Sequence, residues 1–99
     1  MKNSINNLKN IDLVVMDFDG VLTDGGIYLS NNGDDFRRFD AKDGMAIKLL
    51  QKNFITPAII SGSKSKIIND RCVALGIQII KKGIKNKLIA INEIQKEHN

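Results

Sequence analysis

The 99-residue sequence holds one cysteine, one histidine, one proline, no tryptophan and five aromatic residues in all. Each scarcity excludes something. A lone Cys72 rules out a disulfide framework and a cysteine metal cage, and makes a reducing cytoplasm the default compartment. It lies in an amphipathic segment, where a thiol is a small core residue rather than a nucleophile. His98 sits in the terminal "KEHN" and reads as frayed tail. So few aromatics, without a stacking pattern or a recognised binding module, argue against a nucleic-acid partner. No apolar run approaches the ~20 residues of a membrane span, and the polar "MKNSINNLKN" lacks the apolar core of a secretion signal.

What is present suits one globular domain: 42% apolar and 26% charged residues, with a net charge of +4. The lysines of "KKGIKNK" (Lys81, Lys82, Lys85, Lys87) could attract an anion. The plainer reading, a solvated loop, is preferred for most of them.

Ile11 to Asp17 forms an apolar run that predicts a buried strand. Two strand-like pieces, Ile27–Ser30 and Phe36–Phe39, flank "NNGD", and Asn-Gly is a strong hairpin signal. A helix is predicted from Ala41 to Lys52, capped by Asp40 with Asp43 returning the contact, and with Met45, Leu49 and Leu50 as its apolar face. Pro57 precedes a second strand, "AIIS". A second helix runs from Lys64 to Leu75 with Ile67, Ile68, Cys72 and Leu75 inward, and Gly76 offers the left-handed stop. A third strand is Ile77–Ile80, and a third helix from Lys85 or Asn86 carries Leu88, Ile91 and Ile94. Hairpin aside, strand and helix alternate, which predicts an α/β fold: a parallel sheet between helices with right-handed crossovers.

On that architecture ligands gather at the carboxyl ends of the strands. Asp17, Asp19, Ser61 and the lysine-rich loop all fall there. Asp17 and Asp19 point to the same side of a strand, and two like charges so close are a poor choice for packing alone. Taken singly, each residue has a plain structural role as turn cap, loop hydroxyl or solvated lysine. Their shared sheet edge is what marks a site.

"DFDGVLTDG" resembles motif I of the haloacid dehalogenase superfamily of phosphohydrolases; "IISG" resembles motif II and "NKLIA" motif III. "DGVLTDGGIYLSNNGDDFRRFDAKDGMAIKLL" and "DRCVALGI" resemble more specifically the capless subfamily of 3-deoxy-D-manno-octulosonate 8-phosphate phosphatases, over Ile11 to Ile94. The resemblance implies a Rossmann-like three-layer sandwich, with a β-hairpin at about 27–39 in place of a cap domain. It implies Asp17 as nucleophile forming an aspartyl-phosphate, and Asp19 as general acid and base. Mg²⁺ would be held by Asp17 and Asp19, the latter through its backbone carbonyl. Ser61, Gly62 and Lys87 would bind the phosphoryl group; Lys85 competes with Lys87, but the "NKL" register favours the latter. Asp19, Asp40, Ala41, Lys42, Asp43, Gly44, Lys48, Ser63, Arg71 and Lys87 would contact a sugar acid phosphate. The hairpin implies a homo-oligomer, usually a tetramer.

Departures from the pattern are Asp40 for Asn, Lys42 for Arg, and Ser63 for the Arg that commonly follows the motif II glycine. A sialic-acid phosphatase subfamily therefore stays open. The family's fourth motif, Gly-Asp-Asp on a further strand, does not occur in these residues. The expectation is a single domain over 1–99, incomplete at its C-terminus, with the motif I strand left at a sheet edge. A non-catalytic oligomerising remnant or gene fragment is the alternative of another class.

Overall fold

The computed structural model describes residues 10–98; residues 1–9 of the polar N-terminal stretch lie outside them. Strand β1 (Leu13–Asp17) is followed by a hairpin of two short strands, β2 (Tyr28–Leu29) and β3 (Asp35–Phe36). Helix α1 (Ala41–Lys52), strand β4 (Thr56–Ile60), helix α2 (Lys66–Leu75), strand β5 (Ile79–Lys81) and helix α3 (Lys87–His98) complete the order. β1, β4 and β5 form a parallel sheet in that spatial order.

Alternation along the strands feeds two cores, giving three layers. Met16, Ile59 and Ile80 face α1 and α2, meeting Phe18, Ile47, Ile68, Cys72 and Leu75. Val15, Ala58, Ile60 and Ile79 face α3, meeting Ala90 and Ile94. Burial pushes the Cys72 thiol up to about 11, as an apolar core disfavours the thiolate. Among the described residues, no helix is long and apolar enough to cross a membrane.

Several expectations need correction. β1 is half-buried along its whole length rather than buried, because among the described strands it stands at the sheet edge. On α1, Ile47 is 2% exposed, whereas Met45 is 68% and Leu49 59% exposed. Gly44 and Ile47 are buried and Leu50, expected inward, is half-buried, so the face is rotated away from Met45 and Leu49. Gly44 belongs there sterically: a Cβ would lie 3.2 Å from Leu75 Cδ2 and 3.3 Å from Arg71 Nη2. Asp40 does cap α1, its Oδ1 accepting from Lys42 N at 2.8 Å, while no return bond from the Asp43 side chain occurs among the described contacts. α2 starts at Lys66, two residues later than expected, with Ser65 as its cap. On α3, Ile94 is buried and Ile91 packs partly buried beside it as expected, whereas Leu88 is exposed and Ala90 faces the sheet in its place.

Pro57 lies inside β4, opposite Val14. The Thr56 N–H donates to Asp12 O on the β1 side. Alternation turns the proline nitrogen toward β5, which begins only opposite Ala58, so no ladder bond is lost. His98 is no free end either: it closes α3, with Nε2 3.6 Å from Asp12 Oδ1.

Candidate active site

Three strand ends converge on one edge of the sheet. Asp17 is the last residue of β1 and stands opposite Ile60, so Ser61 lies one residue beyond that register. Ser61 N donates to Lys81 O at 2.9 Å, keeping Ser61 attached to β5 beyond the end of β4. Its carbonyl accepts from Ile84 N at 2.9 Å, and this bond folds the lysine-rich loop back over the strand ends. That return delivers Lys87, at the start of α3, to Asp17: Nζ lies 2.6 Å from Oδ1. Seventy positions of sequence close into one charge-assisted contact.

Asp17 and Asp19 flank Phe18, which is fully buried and meets Phe39 edge to face at 6.0 Å between ring centroids. Burial of the central ring is what holds both carboxylates outward. The chain then turns sharply, as Val21 N and Leu22 N both donate to Phe18 O and Gly20 takes φ +85°, a region glycine enters without steric cost. Thr23 is buried under the turn. Its Oγ1 accepts from Gly20 N and Gly25 N and donates to Asp19 Oδ1 at 3.3 Å.

Two further groups close around Asp19. Arg37, whose side chain is 3% exposed, donates from Nε to Asp19 Oδ1 at 3.0 Å. Its Nη1 pairs with Asp35 Oδ1, and Asp35 Oδ2 accepts from Ser65 Oγ at 2.9 Å. Each of the two adjacent carboxylates therefore has its own cation, Lys87 or Arg37, which relieves the repulsion their spacing implies. At the root of the hairpin, the Gly26 amide and then the Tyr28 hydroxyl hold the Asp24 carboxyl below its ordinary value. The same carboxylate raises Tyr28 above its own.

Ser61 is buried, and its Oγ accepts from Ser63 N at 3.1 Å, leaving the hydroxyl hydrogen without an acceptor among the described residues. Gly62 is exposed beside it. Ser63 Oγ in turn accepts from Ser65 N at 3.1 Å, so Ser63 serves the turn into α2.

The remaining candidates form a second group. Ala41, Gly44, Lys48 and Arg71 line a groove of about 520 Å³ between α1 and α2. Arg71 stacks on Phe39, 4.8 Å from the ring centroid, and donates from Nη2 to Asp40 O at 3.4 Å. Lys48 donates to Leu75 O at 3.2 Å, capping the C-terminus of α2, so its ammonium is engaged away from Asp17. Lys42 is exposed and Asp43 half-buried on the first turn of α1. The structure thus pairs Asp17 with Lys87, links Asp19 to Ser61 through a separate set of contacts at the neighbouring strand end, and leaves Lys42 and Lys48 outside both.

Sequence reasoning missed Arg37, Asp35, Thr23 and Ser65. Alternation continued through "DDFRRF" groups Asp35 with Arg37, one residue past β3, on the side opposite Phe36, and that is the available signal. Among the described residues no cluster of three or more His, Cys, Asp or Glu could hold a metal. The candidate metal ligands remain the Asp17 carboxylate and Asp19.

No family model matches the chain. It is 44% identical over 86 residues to 3-deoxy-D-manno-octulosonate 8-phosphate phosphatase KdsC of Escherichia coli (strain K12), an alignment covering 87% of this chain and 46% of that protein. Among solved structures, the 3-deoxy-D-manno-octulosonate 8-phosphate phosphatase of Moraxella catarrhalis, in complex with magnesium ion, phosphate ion and a KDO molecule, superposes with a TM-score of 0.91. It is 34% identical and is matched over 98% of this chain and 56% of its own. A protein of Legionella pneumophila described as a HAD superfamily (subfamily III A) hydrolase gives a TM-score of 0.87 at 32% identity, over 97% of this chain and 55% of its own. The chain is thus a homologue of the 3-deoxy-D-manno-octulosonate 8-phosphate phosphatases with the Rossmann-like fold of the haloacid dehalogenase superfamily, and it spans about half their length.

Proposed function

We propose that this protein is a phosphoric monoester hydrolase, that its substrate is a sugar acid phosphate, namely 3-deoxy-D-manno-octulosonate 8-phosphate, and that it works through an aspartyl-phosphate on Asp17. The observation that carries the proposal is the Lys87–Asp17 contact of 2.6 Å beside an independently held Asp19. A carboxylate gripped at one oxygen by an ammonium is oriented and charge-compensated, yet half-exposed and reachable.

In the first displacement an Asp17 oxygen forms a bond to phosphorus while the bond to the sugar oxygen breaks, and Asp19 delivers a proton to that oxygen. In the second, Asp19 takes a proton from water as the water oxygen bonds to phosphorus and the Asp17–phosphorus bond breaks. Ser61 donates its free hydroxyl hydrogen to a phosphoryl oxygen, and Lys87 compensates charge as it develops there. Exchange of one hard displacement for two easier ones is the gain from a covalent intermediate.

The chemistry of the two donors fits Mg²⁺: the Asp17 carboxylate and the Asp19 main-chain carbonyl are hard oxygen ligands at and just beyond the end of β1. The Asp17 carboxylate and the Asp19 main-chain carbonyl would hold the ion, which when bound supplies charge neutralisation for the phosphoryl oxygens. The same reading makes the protein a cytoplasmic homo-oligomer, a tetramer by family analogy. Ile27, Leu29 and Phe36 support association, being 60%, 70% and 53% exposed on the hairpin.

The test is phosphate release from 3-deoxy-D-manno-octulosonate 8-phosphate by the protein at its natural full length, with and without a chelator. Release should need the metal and should fall to the buffer rate in Asp17→Asn. Equal turnover by that variant would remove Asp17 as nucleophile.

A further inference from the structure

The Arg37 guanidinium is buried, and it is divided between two carboxylates rather than given to one. It reaches Asp19 from the hairpin, an element whose two strands have only two residues each. So short a ribbon has little stability of its own and needs anchorage. Its anchor is Asp35, whose second oxygen accepts from Ser65, the cap residue of α2. Ser65 N donates to Ser63 Oγ, and Ser63 N to Ser61 Oγ. One continuous set of contacts therefore runs Asp19–Arg37–Asp35–Ser65–Ser63–Ser61. It joins the acid on the first strand end to the phosphate-side hydroxyl on the second by way of the hairpin.

The distribution of donors over Asp19 is uneven. Both side-chain donors, Thr23 Oγ1 at 3.3 Å and Arg37 Nε at 3.0 Å, fall on Oδ1, and among the described residues Oδ2 receives none. A group serving as acid and then as base needs one oxygen that can carry the proton and another by which it is held. Arg37 cannot itself take part, as guanidinium does not give up its proton in this range.

We propose that Arg37 is the positioning residue for Asp19: it fixes Oδ1, so that Oδ2 alone passes the proton to the leaving oxygen and recovers one from water. Asp35, held by Ser65, keeps Arg37 in place. The inference rests on the reading of Asp19 as general acid and base given above. As the phosphorus–oxygen bond breaks, its electron pair goes to the sugar oxygen, which receives the Oδ2 proton. As water bonds to phosphorus, its proton returns to Oδ2.

The experiment compares two esters in the natural full-length protein with Mg²⁺: the sugar acid phosphate, whose alkoxide must be protonated to leave, and p-nitrophenyl phosphate, whose phenolate leaves without a proton. With general acid catalysis worth 10²–10⁴-fold, Arg37→Met should lower kcat/KM for the sugar ester, which reports the first displacement, by about 10- to 100-fold. Its KM should stay nearly constant, and kcat/KM for the nitrophenyl ester should be affected far less. Arg37→Lys should recover part of the loss, and Asp35→Asn should show the same ester preference at smaller amplitude. Those two variants decide the matter if Arg37→Met does not fold. A loss equal on both esters, or no loss, overturns the proposal. Asp19→Asn run in parallel separates the two levels of failure. If it discriminates between the esters and the Arg37 and Asp35 variants do not, the positioning role falls alone. If it does not discriminate, the acid role of Asp19 falls, and the proposal with it.

Discussion

Asp17 and Asp19 sit two residues apart and are held in opposite ways. Among the described residues Asp17 has one side-chain partner, the flexible and half-exposed Lys87, which arrives seventy positions later in the sequence. Asp19 has two, the buried Thr23 of its own turn and the buried Arg37 of the hairpin. A nucleophile has to approach phosphorus and leave it again, and a long ammonium side chain can follow that movement. A proton donor has only to stay in place, and a planar guanidinium buried between two carboxylates permits little else. What differs between the two aspartates is the rigidity of the partner, and that difference matches the two roles proposed for them.

The sharpest way to break this contrast is at Lys87. Lys87→Met should lower kcat by about 10²–10³-fold on every ester, the range seen when a preorganised electrostatic contact to developing charge is removed. Arg should not substitute well, since its rigid fork replaces a mobile point charge. A Lys87 variant that discriminated between good and poor leaving groups would assign the lysine to Asp19 rather than Asp17. Ser61→Ala comes next. It removes a hydrogen bond to a charged oxygen, worth about 1.5–3 kcal/mol, so kcat/KM should fall roughly 10- to 100-fold. Because Ser61 is buried at a strand end, thermal unfolding of the variant checks that the loss belongs to the site.

The smallest expected effect concerns a third carboxylate of the same loop, Asp24, which has no cation in hydrogen-bond contact among the described residues. Its depressed pKa stabilises the fold above the ordinary carboxylate range, a contribution lost as pH falls through the depressed value. Tyr28 has the opposite sign. Its raised pKa contributes fully below the ordinary tyrosine value of 10.0 and is lost as pH rises through the raised one. Between those limits the pair keeps the hairpin root closed. Tyr28 is the sole tyrosine of these 99 residues and tryptophan is absent from them, so an ultraviolet titration of the 99-residue chain reads it directly. Ionisation should begin above the ordinary range, and Asp24→Asn should bring it back. An unshifted titration in the unmodified protein would remove the contact.

Legibility of the sequence tracked locality. α1 begins and ends where its cap and pattern said, because Asp40 and the helical run lie side by side. Gly76 stops α2 with φ +74° for an equally local reason. The α1 face was misread since Met45 and Leu49 are as apolar as the residues actually buried, and only the approach of α2 at Gly44 decides which stripe turns inward. Asp17, Asp19, Ser61 and Lys87 were legible as strand-end or helix-start residues carrying a motif. Arg37 was not. Its partners lie 18 positions back, at Asp19, and two positions back, at Asp35; alternation groups Arg37 with Asp35, but nothing local tells that this side of the hairpin turns toward Asp19. Asp35 and Ser65, 30 positions apart, meet only once the hairpin has docked on α2.

The most direct test of the account is to trap the covalent intermediate. The natural full-length protein is mixed with substrate and Mg²⁺, quenched in acid within a turnover, and reduced with borohydride, which converts an aspartyl-phosphate into homoserine. Peptide mass spectrometry should then find homoserine at position 17 alone, dependent on substrate. Homoserine at position 19, or at neither position during active turnover, would contradict the division of labour between the two aspartates.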